Sequence, residues 1–266
     1  MKIKKMGNTI NALAGAMLAT ALLSFPLVSQ AVPLGAAIQA QEENSGTAAA
    51  QGRLNKKQYK DVHVTVENGV ATLSGTVDLA EYKLDAAKTV LHAKGVTAIR
   101  NQIEVSGPTV SDQELQEKLS KKLEYDRVGF GNTFDAIGVN VENGVVTLAG
   151  HSHDYVNRDS ALATVATTPG VKDVIDNVEV DPVSTMDDQT RVAVARSIYS
   201  FPTLNKYAID PGKPIRISVQ NGHVELYGTV DTQADKDAAY IRANGVPGVF
   251  SVKNYLQVAN QPAEKN

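Results

Sequence analysis

Residues 137–150 read IGVNVENGVVTLAG, and close copies stand at 62–75 (VHVTVENGVATLSG) and 215–228 (IRISVQNGHVELYG). Asn-Gly is the preferred pair for a two-residue type I′ turn, because both central residues need positive φ. A turn at Asn143-Gly144 sets Glu142 opposite Val145 and Val141 opposite Val146. Strand alternation then places Ile137, Val139, Val141, Val146, Leu148 and Gly150 on one face, with Asn140, Glu142, Val145, Thr147 and Ala149 on the other. Turned at Asn68-Gly69, the first copy directs Val62, Val64, Val66, Ala71, Leu73 and Gly75 inward. Turned at Asn221-Gly222, the third does the same with Ile215, Ile217, Val219, Val224, Leu226 and Gly228. Each phrase therefore predicts a hairpin with one apolar face, as in a sheet covered on one side.

The spacing around the phrase repeats as well. Seven residues after Asn68, Asn143 and Asn221 come Gly75, Gly150 and Gly228, and twenty beyond those come Gly95, Gly170 and Gly248, each followed by Val. Ten further on, the units close on Val105, Val180 and Val258. A period of 75–78 residues is too long for a solenoid repeat and suits a complete small domain. Between the hairpin and the later glycine runs a helical stretch, LAEYKLDAAKTVLHAK in the first unit. Ala86, Ala161 and Ala239 share one position on its stripe, and Val90, Val165 and Ala243 another. Asp78 and Asp231 stand where N-caps are expected. The second and third units carry another helix ahead of the hairpin, SDQELQEKLSKKL, opened by a Ser111-to-Glu114 capping box, and DDQTRVAVARSIY. The reading is α+β: three tandem αββαβ domains, each with two helices on one face of a three-stranded mixed sheet. Their expected bounds are 51–106, with a short or missing first helix, 111–181 and 187–259, joined by SGPTVSD (106–112) and DPVSTMD (181–187). Residues 32–50 read as a flexible tether and 260–266 as a disordered tail.

The opening is of another kind. Lys2, Lys4 and Lys5 precede an almost uncharged run from Ile10 to Val28, and Ser29-Gln30-Ala31 offers small residues at −3 and −1 of a cleavage site. That is the layout of a secretory signal peptide over residues 1–31, with an inner-membrane anchor at 10–28 as the alternative. Without residues 1–31 the chain keeps 23 basic and 29 acidic side chains, a net charge of −6. This balance argues against nucleic acid, whose binding rests on neutralised phosphates, and no polybasic cluster draws the chain to anionic lipid. The chain has no cysteine, so an exported protein of this sequence is stabilised by packing alone.

The phrases VENGVATLSGTV, VENGVVTLAGHS and VQNGHVELYGTV, with the later Gly-Val pairs and closing strands, resemble the BON domain. That family is named for an osmotically induced bacterial periplasmic protein and for nodulation proteins. The resemblance covers about residues 46–259. It implies small αββαβ modules, exported or envelope-associated, that attach to phospholipid membranes or envelope partners, with no catalytic motif and no cofactor.

Little in the sequence suggests chemistry beyond that. A nucleophilic enzyme needs a serine elbow or an activated cysteine, and neither is present. Gly129-Phe130-Gly131-Asn132 lacks the glycine and lysine that would continue a phosphate loop. His151-Ser152-His153-Asp154 could begin a metal site, since alternate residues of a strand share a face, but a polar strand end leading to a helix cap is the simpler reading. Aromatics gather ahead of two hairpins: Tyr125, Phe130 and Phe134, then Tyr199, Phe201 and Tyr207. They either cap the small cores or form an apolar patch for lipid or a protein partner, with Tyr227 on the outward face of the third sheet as a further candidate. Gly75, Gly150 and Gly228 are expected to let a helix approach the strand closely.

Overall fold

Each of the three hairpin Asn-Gly pairs makes the turn its chemistry requires. Asn68, Asn143 and Asn221 adopt φ of +50°, +54° and +50°, followed by glycines at +79°, +78° and +74°. The computed structural model describes residues 34–125, 131–210 and 212–259. The expected leader at 1–31, the anchor alternative at 10–28 and the tail at 260–266 lie outside these residues. Among the described residues no helix is long and apolar enough to cross a membrane. The chain divides into two units, Met1–Gln39 and Ala40–Asn266.

The first module comprises α1 (Leu34–Arg53), β1 (Val62–Glu67), β2 (Val70–Val77), α2 (Ala80–Leu91) and β3 (Ala98–Val105). The second comprises α3 (Asp112–Tyr125), a one-turn α4 (Gly131–Phe134), β4 (Ala136–Glu142), β5 (Val145–Ser152), α5 (Tyr155–Ala166) and β6 (Asp173–Val180). The third runs α6 (Thr185–Tyr199), α7 (Lys206–Ile209), β7 (Arg216–Gln220), β8 (His223–Tyr227), β9 (Thr229–Val230), α8 (Gln233–Asn244), β10 (Ser251–Asn254) and β11 (Gln257–Val258). In every module the middle strand pairs antiparallel with the strand before it and parallel with the strand after the helix. The expected register holds, with Val141 opposite Val146 and Glu142 opposite Val145. Inward positions fill three cores, joined by Ala86 and Val90, Ala161 and Val165, and Ala239 and Ala243 of the covering helices.

Residues 32–50 were expected to be a tether and the first helix short; instead α1 spans twenty residues from Leu34. Three glycines and the run Asn44-Ser45-Gly46-Thr47 weaken it, and what holds it is the free edge of β1. Glu43, Thr47 and Gln51 lie four residues apart on one face and bond to that edge. Thr47 Oγ1 accepts from Val66 N–H at 2.9 Å, Gln51 Oε1 accepts from Val64 N–H at 2.8 Å, and Gln51 Nε2 donates to the Val62 carbonyl at 3.1 Å. The helix thus satisfies backbone groups that an open sheet edge would leave exposed.

Two further expectations are corrected. The N-caps are Leu79 and Thr232 rather than Asp78 and Asp231, and Thr232 Oγ1 accepts from Asp235 N–H at 3.1 Å. Asp231 instead pairs with Lys206 at 2.7 Å. The strand glycines do not make room for a helix. A Cβ on Gly75 would lie 1.9 Å from the Asp61 carbonyl oxygen, and one on Gly150 would lie 2.0 Å from that of Ala136, both at the start of the neighbouring strand.

One column of the repeat shows compensation between copies. Asn101 and Asn254 donate to the carbonyls of Lys83 and Lys236, tying the third strand to its helix at 3.0 and 2.9 Å. The second module has Asp176 there, which cannot donate, and the helix supplies Arg158, whose Nε donates to it at 2.9 Å.

The modules are packed rather than strung. Ala80 of the first belongs to the core of the second, and Lys83 pairs with Asp173 at 2.7 Å. Phe134 of the second module is buried in the core of the third.

Candidate functional site

What differs between the copies lies at the junction of the second and third modules. After the strand glycine, the outer copies read Thr76-Val77-Asp78 and Thr229-Val230-Asp231, where the second reads His151-Ser152-His153-Asp154. Ser152 is fully buried and its hydroxyl donates to Asp135 at 2.7 Å. Asp135, buried just ahead of β4, also accepts from the His153 N–H at 2.9 Å and lies 3.1 Å from His153 Nδ1. His153 Nε2 is 3.0 Å from the Asp154 carboxylate, and Asp154 caps α5 by accepting from Asn157 N–H at 2.7 Å. The Asp135 hydrogen bond raises the His153 pKa above its ordinary value; burial opposes this, and the charge of Arg191 opposes it too.

A raised imidazole pKa means the folded state prefers the protonated form, so its stabilisation is complete below the unfolded value of about 6.5 and lost as pH rises through the folded one. Urea unfolding should therefore show wild type exceeding His153→Gln most at acidic pH, with the gap closing at alkaline pH. A gap that widens with pH would contradict the pairing.

Beside this pair lies a buried ion pair. Arg191 of α6 donates to Asp181 at 3.1 Å and to the Val219 carbonyl at 3.1 Å, with side-chain exposures of 3% for Arg191 and 1% for Asp181. Asp181 also accepts from Gln220 Nε2 at 2.8 Å, Arg191 meets Asp188 at its other nitrogen, and its guanidinium lies 5.9 Å from the Phe134 ring centroid.

Through Gln220 this network reaches an open cleft of about 530 Å³ over the outer face of the third sheet. Ser218, Gln220, Glu225, Ser251 and Lys253 line it, with His151 at its wall. His151 Nδ1 is buried without a hydrogen bond, 3.8 Å from Asp181 and 4.0 Å from Glu179. Its ring faces Tyr227, which stacks on Tyr255 at 5.2 Å. Burial and a hydrogen bond to Glu225 keep the Tyr227 phenol protonated well above its ordinary range. Burial would raise Glu225, but Tyr227 and Lys253 outweigh it and hold the carboxyl below its usual range. The cleft thus offers fixed charges, serine hydroxyls and side-chain amides, a set suited to holding a polar ligand by hydrogen bonds. His223 Nδ1 lies 2.7 Å from Ser251 Oγ, yet no carboxylate bonds its other nitrogen among the described residues, as an activated serine would require.

The aromatic candidates of the sequence fall elsewhere. Phe134 and Tyr207 are buried and cannot form a surface patch. Tyr207 holds its hydroxyl between Asp235, to which it donates at 2.9 Å, and Asp231 N–H, from which it accepts at 2.7 Å. Tyr199 is half-buried and donates to the Ile215 carbonyl at 2.8 Å; burial pushes its pKa up to about 12. Phe201 packs beside the third core with Arg242 over its ring at 5.6 Å. The Tyr125 side chain and all of Phe130 lie outside the described residues. His153 is bonded to Asp135 while His151 Nδ1 has no hydrogen bond, and among the described residues no group of three or more ligating side chains could hold a metal.

Among the described residues the most exposed aromatic is one the sequence reading passed over, Phe250 at 77%. It follows the third late glycine by two residues, where the other copies have Thr97 and Lys172, so a column comparison marks a solvent-facing position. Sequence reading also missed the turn clamps. Asp112 accepts from Asn143 and Gly144 N–H at 2.7 and 2.8 Å, and Asp187 from Asn221 and Gly222 N–H at 2.9 Å each. Both acids sit in the first turn of the helix preceding the hairpin. Burial would raise Asp187, but the Gly222 and Asn221 amides, Ser184 and Arg191 prevail and lower it.

Among known proteins, the chain is 29% identical over 124 residues to the osmotically-inducible protein Y of Escherichia coli (strain K12). That match covers 46% of this chain and spans 61% of the relative's length. Among solved structures it is matched to CdsD, a structural protein of the type III secretion system of Chlamydia trachomatis, at 16% identity. The alignment covers 82% of this chain and 92% of that one, with a TM-score of 0.23. The BON domain family model matches residues 45–107, 111–182 and 203–260. These three segments hold all three Asn-Gly hairpins, and with most of its length so matched the chain belongs to the BON domain family.

Proposed function

We propose that this is a non-enzymatic exported protein of the bacterial periplasm, serving in osmotic or envelope stress, whose modules bind envelope polypeptides rather than lipid. The observation that carries the choice is the fate of the pre-hairpin aromatics, of which Phe134 and Tyr207 are buried inside the third module's core. The binding surface left is the polar cleft between the second and third modules, built from residues peculiar to those copies. The leader-like residues 1–31 support export, and the similarity to an osmotically inducible protein supports the setting.

The chain from residue 32 onward, mixed with neutral and with anionic vesicles up to millimolar lipid, is expected to stay in the supernatant in both. Co-sedimentation with either would overturn the choice of polypeptide. A phospholipid reading draws on one observation: Phe250 and Met186, 77% and 79% exposed, flank the third turn. In that case Phe250→Asp would abolish sedimentation, because a buried aromatic supplies most of the affinity of such a contact.

A further inference from the structure

The three Asn-Gly turns share one backbone geometry and differ in how the glycine nitrogen is held. In the second and third modules a carboxylate accepts from both turn N–H groups, and Gly144 and Gly222 are buried. In the first module the acid on α1 is Glu43, which accepts only from Asn68 N–H, at 3.3 Å. Gly69 is half-buried, and its N–H has no acceptor among the described residues. Its carbonyl accepts from the Thr97 amide at 2.7 Å and the Thr97 hydroxyl at 3.1 Å, as those of Gly144 and Gly222 accept from the Lys172 and Phe250 amides at 2.9 and 2.8 Å, so the nitrogen is where the turns differ.

An Asn-Gly pair carries its own reaction. The glycine nitrogen gives up its proton and attacks the asparagine side-chain carbonyl carbon. A C–N bond forms, the bond to the side-chain nitrogen breaks, and ammonia leaves with the proton. Solvent water then opens the succinimide ring to aspartate or to isoaspartate, in which the main chain runs through the former side chain. No oxidant is needed, and the only co-reactant is solvent water. A carboxylate that accepts from the glycine N–H opposes the first step, because loss of that proton sets two negative charges against each other and sacrifices a charge-assisted hydrogen bond.

We propose that Asn68-Gly69 is a spontaneous deamidation site, and that Asp112 and Asp187 protect the chemically identical pairs in the turns of the other two hairpins. Each event places a new carboxylate beside Glu43 and Glu67, on a turn that Glu43 holds by the Asn68 N–H. The isoaspartyl product also adds a methylene to a two-residue turn whose length sets the β1–β2 register. The first hairpin turn therefore ages ahead of its two counterparts.

The test is a time course of the full chain in warm, mildly alkaline buffer, with peptides spanning residues 68, 143 and 221 assayed for aspartate and isoaspartate by mass spectrometry. Asn68 is expected to react at least about tenfold faster than either of the others, the rate equivalent of losing one charge-assisted hydrogen bond. In concentrated urea the three rates should converge, since each asparagine is followed by glycine. Asp112→Asn should speed Asn143 alone; if that variant unfolds, the comparison of native with urea rates still decides. Equal native rates at the three sites, or a spread that survives in urea, would overturn the proposal.

Discussion

Replacing Arg191 with methionine is expected to cost the folded chain about 3–5 kcal/mol, because it strands a buried carboxylate without its partner. Asp181 is 3% exposed, and with the guanidinium gone it would keep only the Gln220 amide at 2.8 Å and the Ser218 hydroxyl at 3.4 Å. The Val219 carbonyl, bonded by Arg191 at 3.1 Å, would lose that donor as well. The two effects act at one place, where β6 of the second module runs into α6 of the third. Unfolding in urea should therefore register the loss as earlier opening of the junction, seen by hydrogen exchange at Val219 and at Asp181. Adding Asp181→Asn to Arg191→Met should recover much of the cost, because a neutral amide there no longer demands a cation. The double-mutant cycle measures that coupling directly. An Arg191→Met variant within about 1 kcal/mol of wild type would mean that the pair behaves as a surface contact.

This junction also shows how far the sequence could be read. Hairpin register, inward faces and the helical stripe are local properties: a period of two, a period of 3.6 and a turn that demands positive φ. They were legible three times over, down to Val141 opposite Val146. The first helix was not legible, because three glycines and the run Asn44-Ser45-Gly46-Thr47 interrupt it and its support comes from β1, reached by Glu43, Thr47 and Gln51. The aromatics ahead of the hairpins were legible as important but not as buried. Phe134 is hidden by the third module, whose docking no pattern within the second module encodes. The site residues follow the same rule. His151, His153, Asp181 and Arg191 are what separate these copies from the first. Arg191 reaches Asp181 across a module boundary, and His153 meets Asp135 seventeen residues before the strand end within its own module. A difference between copies was visible in the sequence; what it bonds to required the fold.

The strand glycines give the second large effect, and a graded one. A Cβ at Gly75 or Gly150 would lie 1.9 or 2.0 Å from a backbone carbonyl oxygen, whereas at Gly228 the nearest, on Pro214, is 2.7 Å away. All three have φ above +100°, at +108°, +117° and +125°, so alanine is strained at each whatever the space around it. That strain is about 1–3 kcal/mol, and forcing a carbonyl aside in a packed sheet adds about 1–3 kcal/mol. Gly75→Ala and Gly150→Ala should each lose about 4 kcal/mol on this footing, and Gly228→Ala distinctly less, since its neighbour needs to yield by only tenths of an ångström. The carbonyl displaced by Gly75→Ala is the one that accepts from Thr76 N–H at 3.3 Å, so the first strand pair should fray from that end. Hydrogen exchange of the β1–β2 and β4–β5 amides in the intact chain reads the two modules separately. Were Gly228→Ala as costly as the other two, the φ constraint alone would account for the glycines and the carbonyl contact would be incidental. Were all three nearly neutral, the turn of the backbone at these positions would have to be adjustable, and the shared spacing of seven residues from each asparagine would need another cause.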